Sequence, residues 1–182
     1  MSLSRRIEEQ ILLLKIRHGD QAAFALVYDR YVDALFRFIA FRVRTHELAQ
    51  DISSEVFLRV WQHLTSGERE VQNLRAYLYQ VARNLIADHY RKAQELLSLD
   101  DAMSVPAKGE ASHTNIEQRL ALADIERALT KLRDDWQEVV ILAYVEGMKP
   151  HEIAPIIGKS RGSTRVLLHR ALQELRRILA HN

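Results

Sequence analysis

The sequence predicts an all-α protein of two helical domains joined by a flexible acidic linker, with a helix-turn-helix in the second domain. Three observations support this fold class. Glycine (6) and proline (3) are scarce among the 182 residues. The apolar residues recur mostly three or four positions apart, which is the period of an α-helix. An acidic, serine-containing segment interrupts that period near the middle of the chain, as a tether between domains would.

The period divides the chain into three segments. Residues 1–92 are expected to form the first domain and residues 116–182 the second, because each has its own apolar stripes. Residues 93–115 contain Pro106, Gly109, several serines and four acids against a single base. This composition predicts a flexible tether of acidic character.

The first two helices are separated by Gly19 and Asp20, which suit the C-cap of one helix and the N-cap of the next. Ile7, Ile11 and Leu14 begin an apolar stripe on the first helix. The second helix is expected to have seven residues on its buried side: Phe24, Val27, Tyr28, Tyr31, Leu35, Phe38 and Ile39.

Composition also limits where the protein acts. The chain has no cysteine, which excludes disulfides, thiolate metal sites and cysteine nucleophiles. Residues 1–18 lack the pattern of a signal peptide, and no apolar run approaches the roughly 20 residues that span a bilayer. We therefore expect a cytoplasmic protein with no direct membrane insertion.

The polar residues do not suggest catalysis. The eight histidines are scattered, and no acids or histidines converge at the spacing of a catalytic or metal site. No catalytic residue, metal or cofactor is expected, so the chain is not predicted to be an enzyme. A nuclease, the enzymatic alternative, would need such a cluster.

Residues 151–160 predict a helix-turn-helix. Small Ala154 lets two helices cross closely, Gly158 supplies a turn with positive φ, and Ser160 can cap the next helix. Pro155 lies within the first helix of the motif, where it removes a backbone donor, so that helix should be kinked or very short.

The second helix of the motif has a basic face. Arg161, Arg165 and His169 recur every four residues, with Val166 and Arg170 beside them. Such a face is either an ordinary solvated surface or a reader of the DNA major groove, where arginine can bond guanine in bidentate fashion. The capped turn and the small residue favour DNA reading.

Two further helices, over residues 47–64 and 74–92, flank a polar loop at 65–73. On the later helix one flank carries Arg75, Tyr79, Arg83 and Tyr90, and the other flank carries Asn84, Asp88 and Arg91. Aromatic rings among arginines suit single-stranded nucleic acid, or the tyrosines complete the core; both interpretations stay open. The earlier helix combines polar residues with aromatic ones that form either core or a docking surface: Asp51, Ser54, Glu55, Gln62, Phe57 and Trp61.

Three segments of this sequence resemble the extracytoplasmic-function (ECF) subfamily of bacterial RNA polymerase sigma factors. Residues 51–61 (DISSEVFLRVW) resemble the family's polymerase-docking helix. Residues 75–88 (RAYLYQVARNLIAD) resemble the adjacent helix, which meets the −10 promoter element. Residues 152–176 resemble its −35-reading helix-turn-helix. The segments follow the family's order and cover nearly the whole chain.

The resemblance implies a role for each segment. Asp51, Glu55 and Arg59 would contact the clamp helices of the polymerase β′ subunit. Arg75, Tyr79, Arg83 and Asn84 would engage the −10 element as it melts, and the 65–73 loop would hold a flipped-out base. The −35 element would be read by five residues: Arg161, Arg165, Val166, His169 and Arg170.

Partners also follow from the resemblance. They are core RNA polymerase, through its β′ clamp helices and β flap, promoter DNA, and an anti-sigma factor that could hold the protein at the inner membrane. Val166 and Leu167 stand where Ser and Arg are common in the family, so base contacts there should be more apolar. The alternative function is a conventional helix-turn-helix regulator that binds duplex DNA unaided.

Overall fold

The computed structural model describes residues 3–67, 70–97, 124–125 and 127–180. Every secondary-structure element in these ranges is a helix, which confirms the predicted all-α class. The chain divides into two compact units, 1–107 and 108–182.

Most of the predicted linker at 93–115 lies outside the described residues. Its first part does not match the prediction, because the last helix of the first unit continues through Leu97 rather than ending near Lys92. The domain boundaries otherwise remain predictions.

The described residues of the first unit form four helices: α1 (Leu3–Arg17), α2 (Gln21–Ala40), α3 (His46–Ser66) and α4 (Leu74–Leu97). Asp20 caps α2 as predicted, since its carboxylate accepts a 3.0 Å hydrogen bond from the Ala23 N–H. Thr45 caps α3 in the same way, accepting from the Leu48 N–H at 3.1 Å.

Helix α3 lies at the centre of this unit and packs against α1, α2 and α4. All four helices contribute to the core, whose side chains of at most 1% exposure include Ile16, Val27, Leu35, Phe38, Ile39, Val56, Val60 and Leu78. Of the seven residues expected on the buried side of α2, Tyr28 is the one on the surface, at 44% exposure.

Helix α1 buries a different face from the one its apolar stripe suggests. Ile7, Ile11 and Leu14 are 54%, 49% and 58% exposed, whereas Leu13 and Ile16 enter the core. The buried face also includes the carboxylate residue Glu9, which is 5% exposed.

The second unit is built on α5 (Asp134–Val140), which continues as a π-helical segment (Ile141–Val145). Gly147 ends this helix at φ +63°. Helices α6 (Pro150–Ile157) and α7 (Arg161–Ala180) follow. Helix α7 packs against both α5 and α6.

Among the described residues of this unit, seven buried side chains have no exposed surface: Ala128, Val139, Ile141, Leu142, Ile153, Thr164 and Ala171. In the described parts of the chain, no helix is both long and apolar enough to span a membrane.

Candidate nucleic-acid and protein interfaces

Helices α6 and α7 form the predicted helix-turn-helix. Gly158 adopts φ +65° between them, and the Lys159 N–H returns to the Ala154 carbonyl at 3.0 Å. Ser160 caps α7, because its hydroxyl oxygen accepts from the Ser163 N–H at 3.1 Å. Both predicted turn residues therefore have the expected roles.

The first helix of the motif is short, as the proline predicted, with eight residues. Pro150 occupies its first turn, where a missing N–H removes no helical bond. The Glu152 carboxylate caps this end by accepting from the Lys149 N–H at 2.9 Å. Pro155 lies inside the helix with an exposed ring and is followed by only two helical residues.

The orientation of α7 is fixed by its buried side. Thr164 is fully buried, and its hydroxyl donates to the Ser160 carbonyl at 2.9 Å. Ala171, two turns later, is also fully buried. The opposite side is exposed at all five predicted −35 positions: Arg161, Arg165, Val166, His169 and Arg170. This basic face of α7 is therefore accessible to solvent and is not covered by the rest of its unit.

The structure corrects one predicted −10 residue. Tyr79 is 1% exposed, and its ring packs edge-on against Phe38 with 5.1 Å between ring centroids. A ring buried in this way cannot stack on a base. Of the two interpretations left open for the tyrosines, core packing is correct at this position.

The remaining predicted −10 residues differ in exposure. Arg75 and Arg83 are half-buried on the same side of α4 as Tyr79, whereas Asn84 is exposed on the other flank. Beyond Asn84, Asp88 and Arg91 form a 3.0 Å ion pair. The accessible part of this helix is thus centred on Asn84.

Tyr77 is an aromatic residue near the 65–73 loop that the sequence reasoning missed. It is half-buried, and its ring lies 5.0 Å from that of His63 near the end of α3. Burial raises the pKa of the Tyr77 hydroxyl above its usual value. Tyr77 lies two residues before Tyr79 and therefore on a different side of α4, so helical spacing was the signal that could have identified it as a separate aromatic candidate.

The loop itself is shorter than predicted, since α3 extends through Ser66. Gly67 follows at φ +69°, and its carbonyl accepts from the Arg17 guanidinium at 3.4 Å. Residues 68–69, within the loop proposed to hold a base, lie outside the described residues.

The predicted polymerase-contacting residues lie on the surface of α3. Asp51 is exposed, and Glu55 pairs with Arg59 at 2.7 Å one turn later. Two apolar residues near them are also exposed: Leu58, at 50%, which the sequence analysis did not single out, and Tyr28, which was expected to be buried and whose ring contacts that of Phe57 at 4.7 Å. Such a mixture of polar and apolar groups is common in protein interfaces.

Among the described residues, no three His, Cys, Asp or Glu side chains are grouped so that they could hold a metal ion. What the surfaces offer instead is exposed arginine, histidine, amide and apolar side chains on rigid helices.

Comparison with known proteins agrees with the two-unit division. Residues 27–95 match the sigma-70 region 2 family, and residues 122–175 match the sigma-70 region 4 family. The two matches fall on the four-helix unit and on the unit with the helix-turn-helix.

Two curated proteins illustrate the relationship. The ECF RNA polymerase sigma factor BldN of Streptomyces coelicolor is 32% identical over 173 residues, covering 92% of this chain but 64% of BldN. The RNA polymerase sigma factor CarQ of Myxococcus xanthus is 30% identical over 168 residues, covering 91% of this chain and 94% of CarQ.

A solved structure shares the fold. The sigma factor RpoE of Bartonella quintana, in a complex with the anti-sigma factor NepR, is 25% identical with a TM-score of 0.72. The alignment covers 86% of this chain and 96% of that protein.

The fold and its surfaces define a two-unit, helix-turn-helix transcription protein of the sigma-70 class. Within that class, the chain belongs to the ECF RNA polymerase sigma factors. It therefore functions in promoter-specific initiation of transcription with RNA polymerase.

Proposed function

We propose that this sigma factor recognises promoters through three separate surfaces: the exposed face of α7 for the −35 element, the Asn84 flank of α4 for the −10 element, and the surface of α3 for core RNA polymerase. The observation that carries the proposal is the geometry of α7, whose anchors Thr164 and Ala171 are fully buried while its basic side is exposed.

At the −35 element, α7 enters the major groove by its N-terminal half. Arg165 lies at the centre of the exposed face, where a guanidinium can donate two hydrogen bonds to guanine O6 and N7. Arg161, His169 and Arg170 surround it and add charge toward phosphates. Val166, 51% exposed, supplies an apolar contact suited to a thymine methyl group.

At the −10 element, Asn84 contacts bases as the duplex opens. Its amide can both donate and accept, and α4 holds it at the surface without a competing core role. Arg75 and Arg83 are proposed to support this contact through their positive charge rather than by stacking.

Core polymerase binds α3 through Asp51, Glu55 and Arg59. The Glu55–Arg59 ion pair at 2.7 Å leaves the two side chains 40% and 50% exposed, so both charged groups stay accessible to a partner. Leu58 and Tyr28 add exposed apolar area close to this charged stripe. The clamp helices of β′ are the proposed partner here, and the β flap is proposed to bind the second unit.

An anti-sigma factor is the proposed regulator, supported by the solved complex of RpoE with NepR. The cytoplasm is the proposed place of action, and a membrane-tied anti-sigma factor would hold the inactive protein at the inner membrane. The protein contributes binding energy alone in this proposal, because catalysis of RNA synthesis belongs to the polymerase.

Gel-shift measurements test this assignment. The isolated protein and its complex with core polymerase are each titrated against promoter duplexes and against scrambled duplexes. We expect promoter-specific complexes only when core polymerase is present. Tight, specific duplex binding by the isolated protein would instead identify a conventional helix-turn-helix regulator.

A further inference from the structure

A surface groove of about 400 Å³ runs beside the proposed −35 face in the second unit. One wall is the beginning of α5 and the other is the start of α7 with the turn before it. Six of its lining residues matter for what it can bind: Arg133, Asp135, Trp136, Lys159, Val166 and Arg170.

The groove has an excess of positive charge. Arg133, Lys159 and Arg170 are exposed cations, against the single acid Asp135. The Asp135 carboxylate is already paired with Arg133 at 3.1 Å, so it repels an incoming anion less than a lone carboxylate would. This balance favours an anionic ligand.

Arg133 is held in place at the edge of the groove. Its guanidinium lies 5.1 Å from the centroid of the Trp136 ring, within the range of a cation–π contact. The ion pair with Asp135 restrains it from a second direction. The side chain nevertheless remains 70% exposed, which leaves N–H donors of the guanidinium accessible to a ligand.

The groove is also continuous with the surface that faces DNA. Val166 and Arg170 belong both to the exposed face of α7 and to the groove lining. A duplex whose major groove receives α7 must carry its sugar–phosphate backbone along the sides of that helix. Arg133 lines the same groove as Val166 and Arg170, which places it on the side of α7 where that backbone would run.

We propose that this groove holds a backbone phosphate of the promoter at the edge of the −35 element, with Arg133 as the donor and Trp136 as its support. The inference rests on the proposed function of α7. A phosphate contact of this kind adds affinity and fixes register on the duplex without reading sequence. Arg133 is therefore a positioning residue, distinct in effect from Arg165.

The test compares Arg133→Gln with Arg177→Gln in holoenzyme assembled from core polymerase. Arg177 is a matched control, because its side chain is 66% exposed, is paired with Glu174 and lies outside the groove. Promoter affinity is measured over a series of salt concentrations and against a panel of −35 variants. Arg133→Gln should weaken every promoter several-fold and reduce the salt slope by about 1, with the ranking of variants unchanged.

A second measurement locates the phosphate. Promoters are made with a single neutral methylphosphonate at successive backbone positions flanking the −35 element. One such position should weaken the wild type but leave Arg133→Gln unaffected, because the two changes remove the same contact. Additive losses at every position would overturn the proposal.

The possible results distinguish a failure of the groove proposal from a failure of the proposed function of α7. If wild-type holoenzyme is promoter-specific but Arg133→Gln behaves like Arg177→Gln, the groove proposal is wrong and the function of α7 stands. If Arg133→Gln changes the ranking of −35 variants, Arg133 reads bases and the phosphate proposal is also wrong. If wild-type holoenzyme shows no promoter preference, the proposed function itself fails.

Discussion

The Glu9 carboxylate on α1 accepts a 2.7 Å hydrogen bond from the backbone N–H of Leu74, the first residue of α4. The bond is buried and joins residues 65 positions apart. The first turn of a helix has N–H groups without helical partners, and a carboxylate is a favourable acceptor for them. Asn73 satisfies another of these groups by accepting from the Ala76 N–H at 2.9 Å.

Replacing Glu9 should therefore destabilise the first unit. Glu9→Ala removes the acceptor and leaves a buried N–H unsatisfied, at a cost of about 1–3 kcal/mol in the free energy of unfolding. Gln10→Ala, an exposed neighbour, is the control and should change little. Urea denaturation of both variants measures the difference, and equal stabilities would show that the Glu9 bond contributes nothing.

Tyr79 should behave as a core residue rather than as a DNA contact. Tyr79→Ala is expected to lower the free energy of unfolding by about 3–5 kcal/mol, because it empties a large buried volume against Phe38. Tyr79→Phe keeps the ring and should retain −10 preference. A Phe variant that folds normally but loses −10 preference would refute this assignment.

Asn84 should be needed for opening the promoter and not for binding the polymerase. Asn84→Ala is expected to reduce the permanganate reactivity of −10 thymines in holoenzyme complexes, since an exposed amide contact is lost. Gln94→Ala, exposed further along α4, serves as the control. Loss of core binding by Asn84→Ala would mean that this flank of α4 faces the polymerase instead.

Stability of the first unit should fall at alkaline pH. Burial, with a further contribution from Glu9, raises the pKa of the Tyr31 hydroxyl above its ordinary value of 10.0. Above about pH 10 the unfolded state therefore releases this proton before the folded state does, which favours unfolding. Below that pH both states keep the proton and this group adds no pH dependence.

The variant Tyr31→Phe isolates this effect. Relative to its own stability at neutral pH, it should lose less stability above about pH 10 than the wild type does. Burial also raises the pKa of Tyr77, so part of the alkaline loss should remain in the variant. Identical pH profiles for variant and wild type would contradict the role of Tyr31.

The sequence predicted those parts of the fold that depend on local chemistry. Asp20, Gly158 and Ser160 act within a few residues of themselves, and each has its predicted role in a cap or turn. The exposed face of α7 followed from the same local periodicity. These features needed no knowledge of where other helices lie.

Rotation of a helix about its own axis depends on distant partners instead. Ile7, Ile11 and Leu14 form an apolar stripe that stays exposed, whereas α1 buries Leu13 and Ile16 on the same face as Glu9, whose carboxylate accepts from the Leu74 N–H. The apolar period of a single helix cannot predict a contact with a residue 65 positions away.

The same limit applies to the functional surfaces. Tyr79 was ambiguous because α4 contacts both α2 and α3, and only the packing shows that its ring meets Phe38. Arg133 and Trp136 precede α7 by more than 20 residues, and the fold alone brings them beside Val166 and Arg170.

Run-off transcription with core polymerase tests the central claim most directly. Templates carry one promoter with every single substitution in its −35 element, and wild type is compared with Arg165→Ala. The wild type should start transcripts at a defined site with a clear −35 preference. Arg165→Ala should lose about 1–3 kcal/mol of that preference at one base pair. Transcription starts that do not depend on the protein would contradict the claim that it directs initiation. A −35 preference unchanged by Arg165→Ala would contradict recognition of the −35 element by this face of α7.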